Sequence, residues 1–240
     1  RIKGYQIPLA SRTAKGIPAI NLLSLDKGEK IRSLVSINDS EQYKYIMFAT
    51  EGGLVKRVDV REFDSIRQTG KIAIRLNEND QLVSVKLTTG NDEIIIAGSN
   101  GKAVRFDESN VRVMGRSAAG VLGIRVDGSF VIGMTTDKEG EFLLALTEKG
   151  YGKKTPITDY RLTNRGAKGV KTINITEKNG PLIVLKAVSG DEDMLIVTDT
   201  GQVIRISVSD IGTYGRNTQG VRCINIGDNA VVSSAAIDKN

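Results

Sequence analysis

The sequence contains no histidine and no tryptophan, and it has one cysteine and only 4 prolines. Without histidine, the commonest general base is missing, and so are Ser-His nucleophile pairs and most zinc or iron sites. One cysteine forms neither an intrachain disulfide nor a thiolate metal site. Cys223 lies in the alternating segment Val221-Arg222-Cys223-Ile224, which predicts a small buried side chain rather than a nucleophile. Catalytic chemistry therefore has few candidate groups here.

Long hydrophobic runs are also absent. No apolar segment approaches the roughly 20 residues that span a bilayer, and the N-terminal Arg1-Ile2-Lys3-Gly4 is not followed by the apolar core of a signal peptide. We therefore expect a cytoplasmic protein with no membrane partner. The chain begins on what looks like a strand, which indicates a fragment of a longer protein.

Aromatic residues make up only 5% of the chain, so a core must be built from Val, Ile, Leu and Ala. The 26 glycines provide many positions for tight turns. No segment keeps apolar residues at a spacing of 3.6, which predicts few and short helices. This composition favours an all-β fold.

One unit recurs along the chain, and its most visible part is a loop that runs from an arginine to a glycine. Successive arginines of this loop are 55, 49, 49 and 51 residues apart. The five copies are Arg12-Thr-Ala-Lys-Gly16, Arg67-Gln-Thr-Gly70, Arg116-Ser-Ala-Ala-Gly120, Arg165-Gly-Ala-Lys-Gly169 and Arg216-Asn-Thr-Gln-Gly220.

Four short strand-like segments accompany each loop. In the last full copy they are Leu182 to Val188, Met194 to Thr198, Val203 to Ile206 and Val221 to Ile226. Four strands in about 50 residues are typical of a β-propeller blade. A parallel β-helix needs shorter repeats, and two stacked sandwiches would not repeat so regularly. We predict a single all-β propeller domain over residues 1–240 that contains five repeats.

Positive charge follows the same repeat. The net charge is +6, but the repeat halves that carry the loops hold 24 of the 34 basic and only 7 of the 28 acidic residues. These halves are Arg1 to Ile17, Gly53 to Arg75, Gly101 to Val126, Gly150 to Lys171 and Gly201 to Arg222. Equivalent positions of a propeller lie on one rim or outer wall, so this pattern predicts a basic belt that fits a long polyanion.

Guanidinium groups and glycine-exposed backbone N–H groups are both good phosphate donors. The alternative for Arg12, Arg116, Arg165 and Arg216 is structural, with the arginines bonding loop carbonyls. A structural role explains less well why the exposed-looking lysines and the strand-end pairs are basic: Lys15, Lys71, Lys168, Lys171, Lys56-Arg57 and Lys153-Lys154. The candidate DNA-binding residues are Arg12, Lys15, Lys56, Arg57, Arg67, Lys71, Arg105, Arg116, Lys153, Lys154, Arg165, Lys168, Lys171, Arg205, Arg216 and Arg222.

Two acidic clusters, Gly190-Asp-Glu-Asp193 and Asp137-Lys-Glu-Gly-Glu141, offer carboxylates for a divalent ion or for acid–base chemistry. Both fall at the position of the turn Thr89-Gly90-Asn91-Asp92, which predicts solvated turns. The patterns Gly150-Tyr-Gly152 and Gly98-Ser-Asn-Gly101 lack the Gly-Lys-Ser/Thr of a phosphate-binding loop. We expect no catalytic residue, no metal site and no cofactor in this chain.

From end to end the chain resembles the C-terminal domain of the DNA gyrase A protein, a six-bladed β-pinwheel. The matching motifs are Tyr5-Gln-Ile-Pro8, Arg12-Thr-Ala-Lys-Gly16, Glu148-Lys-Gly-Tyr-Gly-Lys-Lys-Thr155, Ile175-Thr-Glu-Lys-Asn-Gly180 and Gly215-Arg-Asn-Thr-Gln-Gly-Val221. The corresponding C-terminal domain of topoisomerase IV shares the architecture with more degenerate loops and is the nearest alternative.

The resemblance implies that the domain wraps duplex DNA around its outer perimeter within an A2B2 holoenzyme of the gyrase A and gyrase B proteins. That holoenzyme is a type II topoisomerase, an isomerase that uses ATP and Mg in negative supercoiling. By the same resemblance, the cleavage tyrosine and its metal belong to the N-terminal region of gyrase A, and the ATPase belongs to gyrase B.

One departure concerns the box Gln-Arg-Arg-Gly-Gly-Lys-Gly, which characterises the family's first blade and is absent here. Asn164-Arg-Gly-Ala-Lys-Gly169 resembles it but belongs to a later repeat. Arg1 to Asn21 then corresponds to the second half of a blade, and the last strand, Ala230 to Ile237, either pairs there or leaves the ring open. An acidic tail, common in the family, is also absent. Two other functions remain open: a propeller whose basic belt meets an acidic protein, and an enzyme with carboxylates in a propeller channel.

Overall fold

A computed structural model describes residues 2–11, 13–23, 25, 28–37, 42–65, 70–227 and 230–238. Strands dominate these residues, and the only helices among them are 3-10 helices of three or four residues. The strands are β1 (Tyr45–Thr50), β2 (Leu54–Asp59), β3 (Leu82–Thr88), β4 (Glu93–Gly98), β5 (Lys102–Asp107), β6 (Val121–Leu122), β7 (Val131–Thr136), β8 (Phe142–Thr147), β9 (Tyr151–Pro156), β10 (Val170–Lys171), β11 (Leu182–Val188), β12 (Asp193–Thr198), β13 (Val203–Ser207), β14 (Val221–Arg222) and β15 (Val232–Asp238).

Most of the short helices follow a strand, and two precede the first one. They are Gly4–Gln6, Ala19–Asn21, Val60–Phe63, Glu108–Asn110, Asp137–Glu139, Ile157–Asp159 and Val208–Asp210. None of the helices in the described part of the chain is long and apolar enough to cross a membrane.

The strands form four antiparallel sheets arranged as propeller blades. The orders are β3-β1-β2-β6, β10-β5-β4-β7, β11-β8-β9-β14 and β13-β12-β15. The strands β3, β7, β11 and β15 lie next to one another on the inside, since β7 packs against β3 and β11, and β11 also packs against β15. The predicted all-β propeller with strands such as β3, β4 and β11 is confirmed.

The core lies between neighbouring sheets, and this explains the continuous apolar runs of the middle strands. In β4, Ile94 and Ile96 pack towards the first sheet, whereas Ile95 and Ala97 pack towards the third. Side chains alternate between the two faces of a strand, so a sheet between two neighbours needs apolar residues on both. In β13, by contrast, Val203 is 61% exposed.

Each of the first three sheets is completed by a segment from a later repeat. The short strand β6 follows the β4–β5 hairpin but pairs with β2 of the preceding hairpin, and β10 and β14 repeat this arrangement on β5 and β9. The strands grouped from the sequence as one unit therefore belong to different sheets: β11 joins β8, whereas β12 and β13 join β15.

For the last strand, the sequence left two alternatives, pairing with the N-terminal half-blade or an open ring. β15 pairs with β12 of its own repeat, with Asp238 opposite Asp193 and Ile237 opposite Met194, and not with the N-terminal half-blade. The described residues 2–11 and 13–23 contain two 3-10 helices and no strand, so the strand expected at the N-terminus is not found among them.

Candidate functional site

The arginine-to-glycine loops lie on the outer edge of the sheets, opposite the inner strands. We call residues 112–125, 161–174 and 212–225 the rim loops. The first rim loop runs along β2, from a bridge between Val113 and Arg57 to a hydrogen bond from the Gly123 N–H to the Gly53 carbonyl, 2.8 Å. The other two run along β5 and β9 in the same way. The three rim loops thus lie at equivalent outer edges of their sheets.

The loop arginines connect one rim loop to the one before it. The Arg165 Nη1 donates to the Leu122 carbonyl (3.1 Å), and Arg216 Nη1 donates to the Lys171 carbonyl (3.3 Å). Arg116 makes the equivalent bond to the Ile72 carbonyl, 3.3 Å. Arg116, Arg165 and Arg216 therefore make the loop-carbonyl bonds of the structural alternative, and these half-buried side chains also keep part of their surface open to solvent.

The loop glycines are needed for a close approach between a rim loop and the hairpin beneath it. Gly169 has φ +78°, and a Cβ there would lie 2.7 Å from the Ala103 carbonyl oxygen of β5. At Gly120 and Gly220 an added Cβ would lie 2.6 Å from the carbonyl oxygens of Val55 and Gly152. Only glycine combines a positive φ with so little space. The glycines therefore serve the packing of the loop onto the sheet.

Lys56 and Lys153 are buried, although both are among the candidate DNA-binding residues. Both residues are 0% exposed. The Lys153 ammonium donates to the carbonyls of Gly215 (2.6 Å) and Arg216 (2.9 Å), and that of Lys56 donates to the carbonyls of Ala73 (2.7 Å) and Arg116 (2.5 Å). Burial, with a smaller contribution from the arginine charge nearby, lowers the pKa of each lysine to about 8.

The second residues of these pairs are also largely inside. Lys154 is 7% exposed and donates to the Val208 carbonyl at 2.8 Å. Arg57 is 8% exposed, stacks on the Tyr45 ring and forms an ion pair with the buried Glu108 at 3.6 Å. These four strand-end side chains hold the framework, so the prediction that they are free for a ligand is wrong.

Arg105 and Arg205 occupy the same strand position and are paired with acids. Arg105 forms an ion pair with Glu93 and donates to the carbonyls of Ile157 and Tyr160. Arg205 pairs with Asp193 at 2.7 Å, but its side chain stays 55% exposed. Of the two, only Arg205 presents much of its guanidinium to solvent.

Besides Arg205, the candidates that remain on the surface are four lysines and one further arginine. Lys15, Lys168, Lys171 and Arg222 are exposed, and Lys71 is half-buried. Lys171 Nζ donates to Asn174 Oδ1 at 3.0 Å, which leaves two of its protons for a ligand. Arg12 and Arg67 lie outside the described residues.

Four further exposed arginines of the rim were not predicted from the sequence. Arg112 and Arg161 stand four residues before the loop arginines 116 and 165, and Arg75 and Arg125 stand five residues after the loop glycines 70 and 120. The signal that identifies them is their repeated position relative to the loop. With Lys168 and Lys171 they form a band of exposed cations along the rim.

One acidic cluster contains the 3-10 helix Asp137–Glu139, and the other lies in the bend before β12, where Glu192 is only 5% exposed and so is not solvated as expected. Glu192 accepts hydrogen bonds from the Ser189 and Gly190 N–H groups, and Glu139 pairs with Lys86 of β3 at 2.7 Å. Among the described residues, no three His, Cys, Asp or Glu side chains converge as metal ligands do. The Cys223 thiol is largely buried, and burial raises its pKa to about 11, which keeps it protonated at neutral pH.

The chain matches a family model described as the DNA gyrase C-terminal domain, a β-propeller. The match covers five consecutive segments, residues 1–38, 44–89, 92–136, 141–189 and 192–237. These five segments correspond to the five repeats recognised in the sequence.

Curated relatives include the DNA gyrase A proteins of Staphylococcus epidermidis, 45% identical over 98% of this chain, and of Ureaplasma parvum, 46% identical over 100%. The chain covers only 27% and 28% of these two proteins. Among solved structures, a DNA gyrase A C-terminal domain matches 99% of the chain and 78% of its own, with a TM-score of 0.85 at 24% identity.

The C-terminal domain of a DNA topoisomerase IV matches with a TM-score of 0.84 at 27% identity, over 92% of this chain and 70% of its own. Both solved domains are therefore similar to this chain in fold over nearly its whole length.

Proposed function

Because the chain belongs to the DNA gyrase C-terminal domain family, we propose that it binds duplex DNA along the rim loops, without sequence preference, and wraps it as part of a gyrase A protein. The observation that carries this proposal is the band of exposed cations that recurs with the sheets, of which Arg112, Arg161, Lys168 and Lys171 are members. The neighbouring framework cations, such as Lys153, support the loops from inside.

The physical basis is counterion release. Duplex DNA carries one charge per about 1.7 Å of axis, and each phosphate neutralised by a lysine or arginine releases condensed counterions. Cations at equivalent positions of successive sheets follow a curved path, so a duplex that contacts several of them must bend around the rim. Contacts to phosphates fix the position of the duplex and carry no sequence information.

Activities of the whole enzyme are proposed for the rest of the assembly. We propose an A2B2 holoenzyme in which ATP, Mg and the strand-cleaving residues act outside this chain. The chain would contribute the wrapped DNA segment on which negative supercoiling depends.

Titration of a labelled duplex at several salt concentrations tests the binding. We expect a steep negative salt slope that is the same for unrelated sequences. Arg161→Ala and Lys168→Ala should each reduce the slope by about one, because each removes a phosphate contact. A salt-independent affinity, or slopes that these variants leave unchanged, would contradict the proposal.

The competing class is a propeller whose basic rim meets an acidic protein, and this titration separates the two. Such a propeller would bind duplex DNA weakly, and replacing Lys168 would not change its affinity for DNA.

Plasmid relaxation by topoisomerase I in the presence of the chain tests chiral wrapping. We expect little change in linking number, because the box that characterises the family's first blade is absent from this sequence. A large shift would show that the described loops are sufficient for chiral wrapping.

The second candidate is the corresponding domain of a topoisomerase IV, since the solved domain of that enzyme matches this chain with a TM-score of 0.84, close to the 0.85 of the gyrase A domain. Adding a first blade that carries the box separates the two candidates. A gyrase domain should then shift the linking number, whereas a topoisomerase IV domain with degenerate loops should leave it unchanged.

A further inference from the structure

A pocket at the turn of the β8–β9 hairpin combines three cationic side chains with one aromatic ring. Its volume is about 280 Å³. Lys149 comes from the hairpin turn, Lys178 from the turn before β11, and Arg222 from the end of β14 in the third rim loop. Tyr151 and apolar side chains such as Ile226 complete the lining.

The tyrosine ring brings two of the cations together. The Lys178 ammonium and the Arg222 guanidinium each lie 5.5 Å from the centre of the Tyr151 ring. Arg222 Nη2 also donates to the Tyr151 Oη at 3.3 Å. Tyr151 itself is only 5% exposed, so its ring is held by the surrounding sheet and fixes the position of both cations.

The third cation is fixed by the backbone of the neighbouring turn. Lys149 Nζ donates to the Glu177 carbonyl at 2.5 Å and keeps two further protons for a ligand. The ion pairs found among the described residues include none of these three cations. Like charges that converge repel one another, and a bound anion relieves this repulsion.

The shared framework of the repeats does not explain this cluster. The position of Lys149 is Gly52, Asn100 and Thr200 in the other hairpin turns, and the position of Tyr151 is Leu54, Lys102 and Gln202. The other hairpins close equally well without these residues. Therefore a tyrosine flanked by three cations is a local addition to this one sheet.

We propose that this pocket binds one phosphate group of an organic phosphate ester. Two cations and a lysine with free protons match the charge and the acceptors of a phosphate, and the apolar side chains accommodate the sugar or base attached to it. The ester is either a backbone phosphate of duplex DNA that leaves the rim at Arg222 or a free nucleotide. The first source rests on the proposed function, and the second does not.

Nuclear magnetic resonance of the labelled chain distinguishes the two sources. The signals to follow are the Arg222 Nε–H and the backbone N–H of Gly227, during separate titrations with inorganic phosphate, adenosine monophosphate and a duplex. Saturable shifts with the duplex alone identify a DNA phosphate, and shifts with the nucleotide identify a free ester. Either outcome supports the pocket.

If none of the three probes shifts these signals while the duplex still shifts those of Lys168 and Arg161, the pocket proposal is overturned and the proposed function stands. If the nucleotide binds and the duplex binds nowhere, the proposed function fails and the pocket stands.

Variants assign the effect to the cations. The Lys149→Ala/Lys178→Ala double variant removes two exposed side chains and should weaken the probe that binds by about tenfold. The matched control is Lys44→Ala/Lys138→Ala, which removes the same charge near the opposite ends of the hairpins. Equal weakening by both double variants would show a general charge effect and overturn the proposal.

Discussion

Basic residues occupy two regions of the rim. One is the buried contact between a rim loop and the hairpin beneath it, which we call the seam, and the other is the exposed band of cations on the outer surface of the rim loops. Lys153 and Lys168 lie on either side of this division: Lys153 is fully buried and bonded to loop carbonyls, whereas Lys168 is exposed. Both contribute equally to the charge count of their repeat. The difference shows that a basic loop contains more charge than it presents to a ligand, because part of that charge holds the loop in place.

The seams also differ from one another. Lys56 and Lys153 donate to the loop above them, but the same strand position in β5 is Val104, which is 2% exposed and packs in the core. The loop above Val104 keeps the same path, with Gly169 against the Ala103 carbonyl. Glycine is therefore common to all three seams, and the buried lysine is an addition in two of them.

We expect the largest effect on the free energy of unfolding when a glycine inside a seam is replaced by alanine, compared with a glycine outside a seam. Gly169→Ala places a methyl group 2.7 Å from the Ala103 oxygen at φ +78°, so we expect a loss of about 3 kcal/mol in the free energy of unfolding. Gly70→Ala is the control, because Gly70 has the same φ of +78° but, among the described residues other than its chain neighbours, no atom lies within 4 Å of the added Cβ. It should cost about 1 kcal/mol. Denaturant unfolding measures both, and equal losses would mean that the seam contact adds nothing.

A smaller effect distinguishes a seam lysine from a rim lysine. Lys153→Met keeps most of the apolar stem but removes the donor to the Gly215 and Arg216 carbonyls, and we expect a loss of about 2 kcal/mol. Lys168→Met should change stability by less than about 0.5 kcal/mol. For DNA affinity the order reverses, since only Lys168 is exposed. Similar effects of the two variants on stability would remove the distinction between seam and rim.

The smallest effect depends on pH. Because the pKa of Lys56 and Lys153 is about 8 in the folded chain and near 10.5 in the unfolded one, the unfolded chain binds more protons between these values. The free energy of unfolding should therefore rise with pH across this window, relative to the Lys56→Met/Lys153→Met variant. We expect a rise of about 1–2 kcal/mol, well below the full effect of two such pKa shifts. Unfolding curves of both proteins from pH 7 to 10.5 measure it, and parallel curves would show that the two amines titrate normally.

Much of the fold follows from local pattern. The apolar runs of β3, β4 and β11, the glycine turns between them and the period of the loops predicted an all-β propeller, because each of these signals is carried by residues close together in the chain. The pairing of β6 with β2 was not predictable in this way. It joins Val121 to Val55, far apart in the chain, and alternation of apolar residues indicates a strand without naming its partner.

The candidate site was predicted less completely, for a related reason. The recurrence of basic residues with the repeat predicted where the rim lies. The sequence Lys153-Lys154, however, is the same whether these side chains face water or the next loop. Arg112 and Arg161 were missed although they occupy a repeated position, since they lie between the strand end and the loop, outside the two segments that carry the most obvious basic motifs.

Composition, spacing and motifs were sufficient to predict the class of fold, the number of repeats and the family. The tertiary structure alone decided which cations are available, because exposure depends on the loop that the following repeat lays over each hairpin. For the same reason only the structure brought Lys149, Lys178 and Arg222 together around Tyr151. Those residues come from three segments of the chain and meet because β8, β9, β11 and β14 pair in one sheet.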